Sequence, residues 1–163
     1  MIKGRRRARP SLVPLFAVAL LTLACGGGDR SAGGTREGLP RGTLVVEAAG
    51  GRVSIDVEIA EEPRDQARGL MGRLELAPDS GMVFLEDRPV ETGFWMKDTL
   101  IPLSIAFWGQ DGRIFRIRDM APCRADPCKV YEPGAPWVGA VEVNRGFFER
   151  HGVAEGDPVH LER

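Results

Sequence analysis

Residues 53–59 read Val-Ser-Ile-Asp-Val-Glu-Ile, four β-branched apolar side chains alternating with three polar ones. A period of two puts Val53, Ile55, Val57 and Ile59 on one face of an extended strand, and that face must be buried. The preceding run, residues 44–48, reaches it through Gly50-Gly51, which is a hairpin signal. Short extended runs recur at residues 81–85, 92–96, 103–108, 113–118, 137–143 and 158–161, with Gln110-Asp111-Gly112 as one of the turns. Residues 61–69 begin acidic, carry Pro63 early and end on Gly69, which predicts a short helix. Residues 145–151, stopped by Gly152, predict a second. The expected fold class is all-β, a mainly antiparallel sandwich or small barrel with one or two short helices.

The amino-terminal segment stands apart from this pattern. Lys3, Arg5, Arg6, Arg7 and Arg9 precede an apolar run over residues 12–24 that ends at Ala24-Cys25-Gly26. A basic stretch, a short apolar stretch and a small residue at the cut make residues 1–24 a secretory signal. A permanent membrane span needs roughly 20 apolar residues, and this run is shorter and contains Pro14. Leu21-Thr22-Leu23-Ala24-Cys25 resembles a lipobox, so Cys25 is the expected site of lipidation. Residues 25–41 are rich in Gly and poor in apolar side chains, the composition of a flexible tether. Residues 42–163 are then a single domain, large enough for one core. The signal holds five basic residues and no acidic one, so its removal takes the formal net charge from −1 to −6. An acidic mature chain argues against nucleic acid as a partner, and attachment to a membrane would come from the lipid on Cys25.

With Cys25 assigned to lipid, Cys123 and Cys128 remain, and in an exported chain they are expected to form a disulfide. Their C-x-x-x-x-C spacing is that of neither a thioredoxin-like motif nor a zinc site. His151 and His160 fall on different predicted elements, and no metal-binding motif is present, so neither a metal nor a cofactor is expected. Met71, Met82, Met96 and Met120, with the Cys pair, are soft donors of the kind that hold cuprous ion, but no two Met are close in sequence and core packing is the expected role. A Gly-x-Ser-x-Gly nucleophile motif and a phosphate-binding Gly loop are both absent.

The densest unusual segment is residues 94–103, Phe-Trp-Met-Lys-Asp-Thr-Leu-Ile-Pro-Leu. Asp98 and Thr99 suit a turn in which side chains hydrogen-bond the backbone. A functional reading places Trp95, Lys97 and Thr99 at the mouth of a pocket, an aromatic wall with polar groups that orient a ligand.

These residues also carry a resemblance. Arg68-Gly69-Leu70-Met71-Gly72-Arg73, Gly81-Met82-Val83-Phe84, residues 94–103 and Gly152-Val153-Ala154-Glu155-Gly156-Asp157 are similar to the DUF192 family over residues 42–161. The resemblance implies a compact all-β domain with short helices and no assigned activity. It departs from the family pattern at Asp98, where many relatives carry Asn, and at Ser104, where many carry Asp. The expected role is a membrane-anchored lipoprotein on the periplasmic or extracellular face of the cell envelope, with a non-catalytic domain that binds a small ligand or an envelope protein. Its candidate contacts are Arg68, Met71, Trp95, Lys97, Asp98 and Thr99. The alternatives are an envelope enzyme acting on a small polar or glycan substrate, with Asp98 and Glu142 as acid and base, and soft-metal binding.

Overall fold

The computed structural model describes residues 38–163. The signal segment, Cys25 and most of the expected tether lie outside the described residues. The chain runs through β1 (Arg41–Ala48), β2 (Gly51–Ala60), α1 (Pro63–Arg68), β3 (Ser80–Val90), β4 (Phe94–Trp95) and β5 (Leu103–Trp108). It continues through β6 (Ile114–Met120), β7 (Val130–Tyr131), β8 (Trp137–Asn144), α2 (Phe147–Arg150) and β9 (Val159–Glu162). Among the described residues no helix is long and apolar enough to cross a membrane.

Seven strands form one sheet in the order β6-β5-β8-β3-β2-β1-β9, and β4 pairs with β7 in a second, two-stranded sheet. The alternating strand β2 behaves as its period demands: Ile55, Val57 and Ile59 are buried, while Asp56 on the other face is exposed. β1 and β2 form the expected hairpin, but Ala48 already pairs with Gly51, so the two-residue loop is Ala49-Gly50. One pairing is parallel, β2 with β3. Parallel neighbours need a crossover of a dozen or more residues, and residues 61–79 with α1 supply it.

Both faces of the central sheet are covered. Leu44, Ile55, Val57, Val83, Ala106, Val141 and Val143 face one core with Phe147 and Phe148 of α2. Met82, Phe84, Ile105, Phe107 and Ala140 face another with Leu70, Met96, Met120 and Trp137. β5 is therefore buried at every position. The edge strands meet at one end, where Arg113 bridges Pro158 and Val159 N donates to Gly112 O at 2.8 Å. Ile114 N to Asp157 O at 3.0 Å and Gly156 N to Ile114 O at 2.6 Å extend the contact, but β6 and β9 share no ladder, so the sheet is curled without closing into a barrel. It is an all-β fold with two short helices, mixed in one pairing and otherwise antiparallel.

Two local conformations required particular residues. Gly69 ends α1 with φ 47° and ψ −136°, a region open in practice only to glycine. Asp98 has φ 53°, a left-handed conformation that Asp and Asn tolerate better than other side chains.

Candidate functional site

The second core is incomplete. Between the end of α1 and the β4 segment it opens into a cavity of about 300 Å³ that reaches the sheet face. Arg68, Gly69 and Met71 form one wall, Thr92, Phe94, Trp95 and Thr99 form the other, and Phe84, Trp137 and Glu142 lie beneath.

The β4 wall is held from several directions. Phe94 packs edge-on against Phe84 with centroids 4.9 Å apart and against Phe107 at 5.5 Å. Trp137 Nε1 donates to Thr92 O at 2.9 Å. β4 is paired to β7 through Phe94–Tyr131 and Trp95–Val130. The two walls are latched to each other by Gly72 N, which donates to Asp98 O at 2.8 Å. Thr99 Oγ1 donates to Lys97 O at 3.3 Å. Asp98 and Thr99 thus shape the turn, one by its left-handed backbone and the other by its hydroxyl.

Glu142 sits in the middle of β8, with Met82 of β3 and Ile105 of β5 as its cross-strand neighbours. It is 5 % exposed. Burial pushes its pKa up to about 8, with no hydrogen bond or charge to offset the desolvation. Among the described residues its carboxylate has no hydrogen-bonding or ion-pair partner, so its free face is the cavity. The backbone of Gly69 comes close: a Cβ there would stand 3.8 Å from Glu142 Oε2 and 3.5 Å from the Phe84 ring.

Of the candidate contacts read from the sequence, the structure brings Arg68, Met71, Trp95 and Thr99 together around the cavity. Lys97 and Asp98 do not line it. Asp98 is exposed and outside the wall, because its backbone conformation turns the chain away. Lys97 lies on the outer side of Trp95, its Nζ 5.7 Å from the ring centroid and 3.9 Å from Asp126 Oδ2. Of the acid–base pair Asp98 and Glu142, the cavity is lined by Glu142 alone. Glu86 is the other carboxylate on its wall.

Sequence reasoning gave Phe84, Glu86, Phe94 and Trp137 no place in the site. A signal for Glu142 was present, because residues 137–143 are apolar on both faces apart from this one glutamate. A strand buried on both faces makes any carboxylate within it a buried one.

The other chemistry-bearing residues have structural partners. Met82, Met96 and Met120 are at most 1 % exposed, in the second core. Cys123 and Cys128 form the expected disulfide, with Cα atoms 5.5 Å apart, which takes both thiols out of reach of a metal at the Cys123, Asp126 and Cys128 cluster. His151 stacks on Phe147 at 4.2 Å, and His160 Nε2 lies 3.4 Å from Glu162 Oε1. On the opposite face of the sheet from Glu142, Ser104 Oγ donates to Asp119 Oδ1 at 2.5 Å and accepts from Gly146 N at 2.9 Å. The carboxylate at that place comes from the cross-strand neighbour.

The disulfide closes a short loop just ahead of β7, which braces the β4 wall. Reducing it is expected to cost roughly 2 kcal/mol, the loop-closure entropy of so short a ring. Urea denaturation with and without a phosphine reductant measures this, and an unchanged midpoint would show that the loop is held by packing alone.

A curled mixed sheet carrying a carboxylate-floored cavity on one face defines a small β domain built around a ligand-sized void. The chain belongs to the DUF192 family, described as uncharacterised ACR, whose profile matches residues 44–161. No curated protein matches the chain. A crystal structure of a protein proposed as a transcription regulator, from Sinorhizobium meliloti 1021, is 29 % identical with a TM-score of 0.71, covering 77 % of this chain and 96 % of that one. A protein of unknown function from Novosphingobium aromaticivorans DSM 12444 is 34 % identical, also with a TM-score of 0.71, covering 77 % and 89 %.

Proposed function

We propose that this protein is an exported lipoprotein, anchored through Cys25 to a membrane of the cell envelope, whose β domain binds a small organic ligand in the cavity beside Trp95. The observation that carries the binding role is the cavity floored by Glu142, a nearly buried carboxyl that has no protein partner among the described residues and is reached only from the cavity. Leaving such a group buried costs stability, and a ligand that satisfies it recovers that cost. Among the described residues the wall holds no His, Cys, Ser or Lys, and the Thr99 hydroxyl is engaged with Lys97 O, which favours binding over nucleophilic catalysis. The export signal and lipobox support the location, and the net charge of the mature chain supports a partner other than nucleic acid, in contrast to the role proposed for the Sinorhizobium relative.

Native mass spectrometry of the full chain, purified in detergent after incubation with a small-molecule extract of the envelope, tests the binding role. A reproducible adduct is expected. Trp95 is half exposed, so Trp95→Ala leaves the fold intact while weakening the adduct about tenfold, the worth of one aromatic contact. Lys97→Ala, outside the wall, leaves it unchanged. A bare protein, or equal sensitivity to both substitutions, would overturn the placement. For the anchor, the intact mass should show residues 1–24 removed and acyl chains on Cys25, and Cys25→Ser should move the protein to the soluble fraction.

The second reading is an envelope enzyme on a small polar or glycan substrate. It is favoured by Glu142, which holds its proton at neutral pH as a general acid must. Turnover of an envelope glycan that Glu142→Gln abolishes without weakening binding would establish it over simple binding.

A further inference from the structure

Among the described residues the cavity sets two carboxyl groups, Glu142 and Glu86, against one cation, Arg68, and most of its inner donors are already engaged, which limits what it can take. The Gln66 amide is spent on Leu85 O at 2.8 Å, the Thr99 hydroxyl on Lys97 O and the Trp137 indole N–H on Thr92 O. The backbone N–H of Gly69 goes to Asp65 O and that of Met71 to Arg68 O. The polar groups that remain inside are the carboxyls of Glu86 and of Glu142, which accepts fully once it gives up its proton, with the Thr92 hydroxyl at the edge. The aromatic walls add the electron-rich faces of their rings. Among the described residues Arg68 is the single cation on the wall, and it is exposed at the rim, at the end of α1.

We propose that the ligand is a small organic cation, a primary ammonium carried on an apolar or aromatic body. The ammonium donates its hydrogens to Glu142 from the cavity side, and the body lies between Phe84, Phe94 and Trp95. The proposal rests on the reading of the cavity as a ligand site and assigns its ligand class. An anion is disfavoured at the floor, because Glu86 and the ionised form of Glu142 would repel it while the opposite charge, Arg68, stands out at the exposed rim. Seating an ammonium against Glu142 requires the carboxylate, so the proton that burial keeps there is released on binding. The groups facing Glu142 are Met82, Phe84 and Glu86 from β3, Ile105 from β5, Gly69 and Arg68 from α1 and its end, and the β4 wall. Of these, only Glu86 and Arg68 are charged.

The test is isothermal titration calorimetry on the full chain with three probes of one shape: phenethylammonium, the neutral 2-phenylethanol and the anionic 3-phenylpropionate. Titrations at about pH 7 in buffers of different ionisation enthalpy count the protons. Saturable binding of the ammonium is expected, with about one proton released per ligand and affinity rising about tenfold per pH unit below 8. Glu142→Gln, its fold checked by circular dichroism, should lose at least about a hundredfold in affinity and all of the pH dependence. The proton count is read on the unmodified protein and does not depend on that variant folding. Tighter binding of either other probe, binding without proton release, or no ammonium binding would overturn the cation assignment. An envelope adduct sensitive to Trp95→Ala would then leave the ligand site standing with another ligand class. A missing adduct would remove the site itself.

Discussion

Raising the pH from 4.5 to about 8 is expected to destabilise the folded protein by roughly 4 kcal/mol through Glu142 alone, each pH unit costing about 1.4 kcal/mol. Below 4.5 both folded and unfolded chains carry the proton, and the buried carboxyl is neutral. Between 4.5 and about 8 the unfolded chain ionises while the folded one still holds its proton, so rising pH favours unfolding. Above that window both are ionised and the penalty is constant. Urea denaturation at a series of pH values measures this slope, and Glu142→Gln should flatten it and be the more stable protein at the alkaline end. A wild-type profile as flat as that of the variant would mean the carboxylate finds water or a partner in the cavity. Glu162 works in the opposite direction and in a different window. The hydrogen bond from Arg52 holds its pKa below the ordinary value, so its contribution is present above 4.5 and lost as the pH falls through the lowered value.

Trp137→Ala is expected to cost about 3–5 kcal/mol, the usual range for deleting a large aromatic from a core. The indole is 2 % exposed, with ring centroids 5.6 Å from Phe94 and 5.9 Å from Phe107. It is also the group through which β8 holds the start of the β4 wall, by the hydrogen bond to Thr92 O. The substitution should therefore weaken ligand binding as well as stability. Trp137→Phe separates the two contributions: it keeps most of the ring contact and loses the hydrogen bond, for about 1 kcal/mol. Thermal and chemical denaturation of the two variants measure both costs. If Trp137→Ala left stability within about 1 kcal/mol of the wild type, the second core would have to repack without it.

The same residues explain how much of the molecule could be read from the chain. Alternation over residues 53–59 determined that β2 is a strand and which of its faces is buried, because side-chain direction in a strand depends only on position. Pro63 and Gly69 determined the limits of α1 for equally local reasons: a fixed φ suits a first helical turn, and the conformation at Gly69 excludes a Cβ. The closing of Cys123 onto Cys128 over four residues, and the family to which the chain belongs, were legible in the same way.

Tertiary structure decided what depended on distant segments. The parallel pairing of β2 with β3 and the two-residue strand β7 carry no period long enough to read. Lys97 and Asp98 sit beside Trp95 and Thr99 in sequence but turn outward, because the left-handed backbone at Asp98 reverses the chain within one turn. Glu142 shows the division most plainly. Its strand follows from residues 137–143, which are apolar on both faces, whereas the cavity it faces and its protonation follow from α1, β3, β4 and β5 closing over it. Direction along a strand is a local property of the backbone. Desolvation of a carboxylate is set by everything packed around it, and only the assembled fold brings those parts of the chain together.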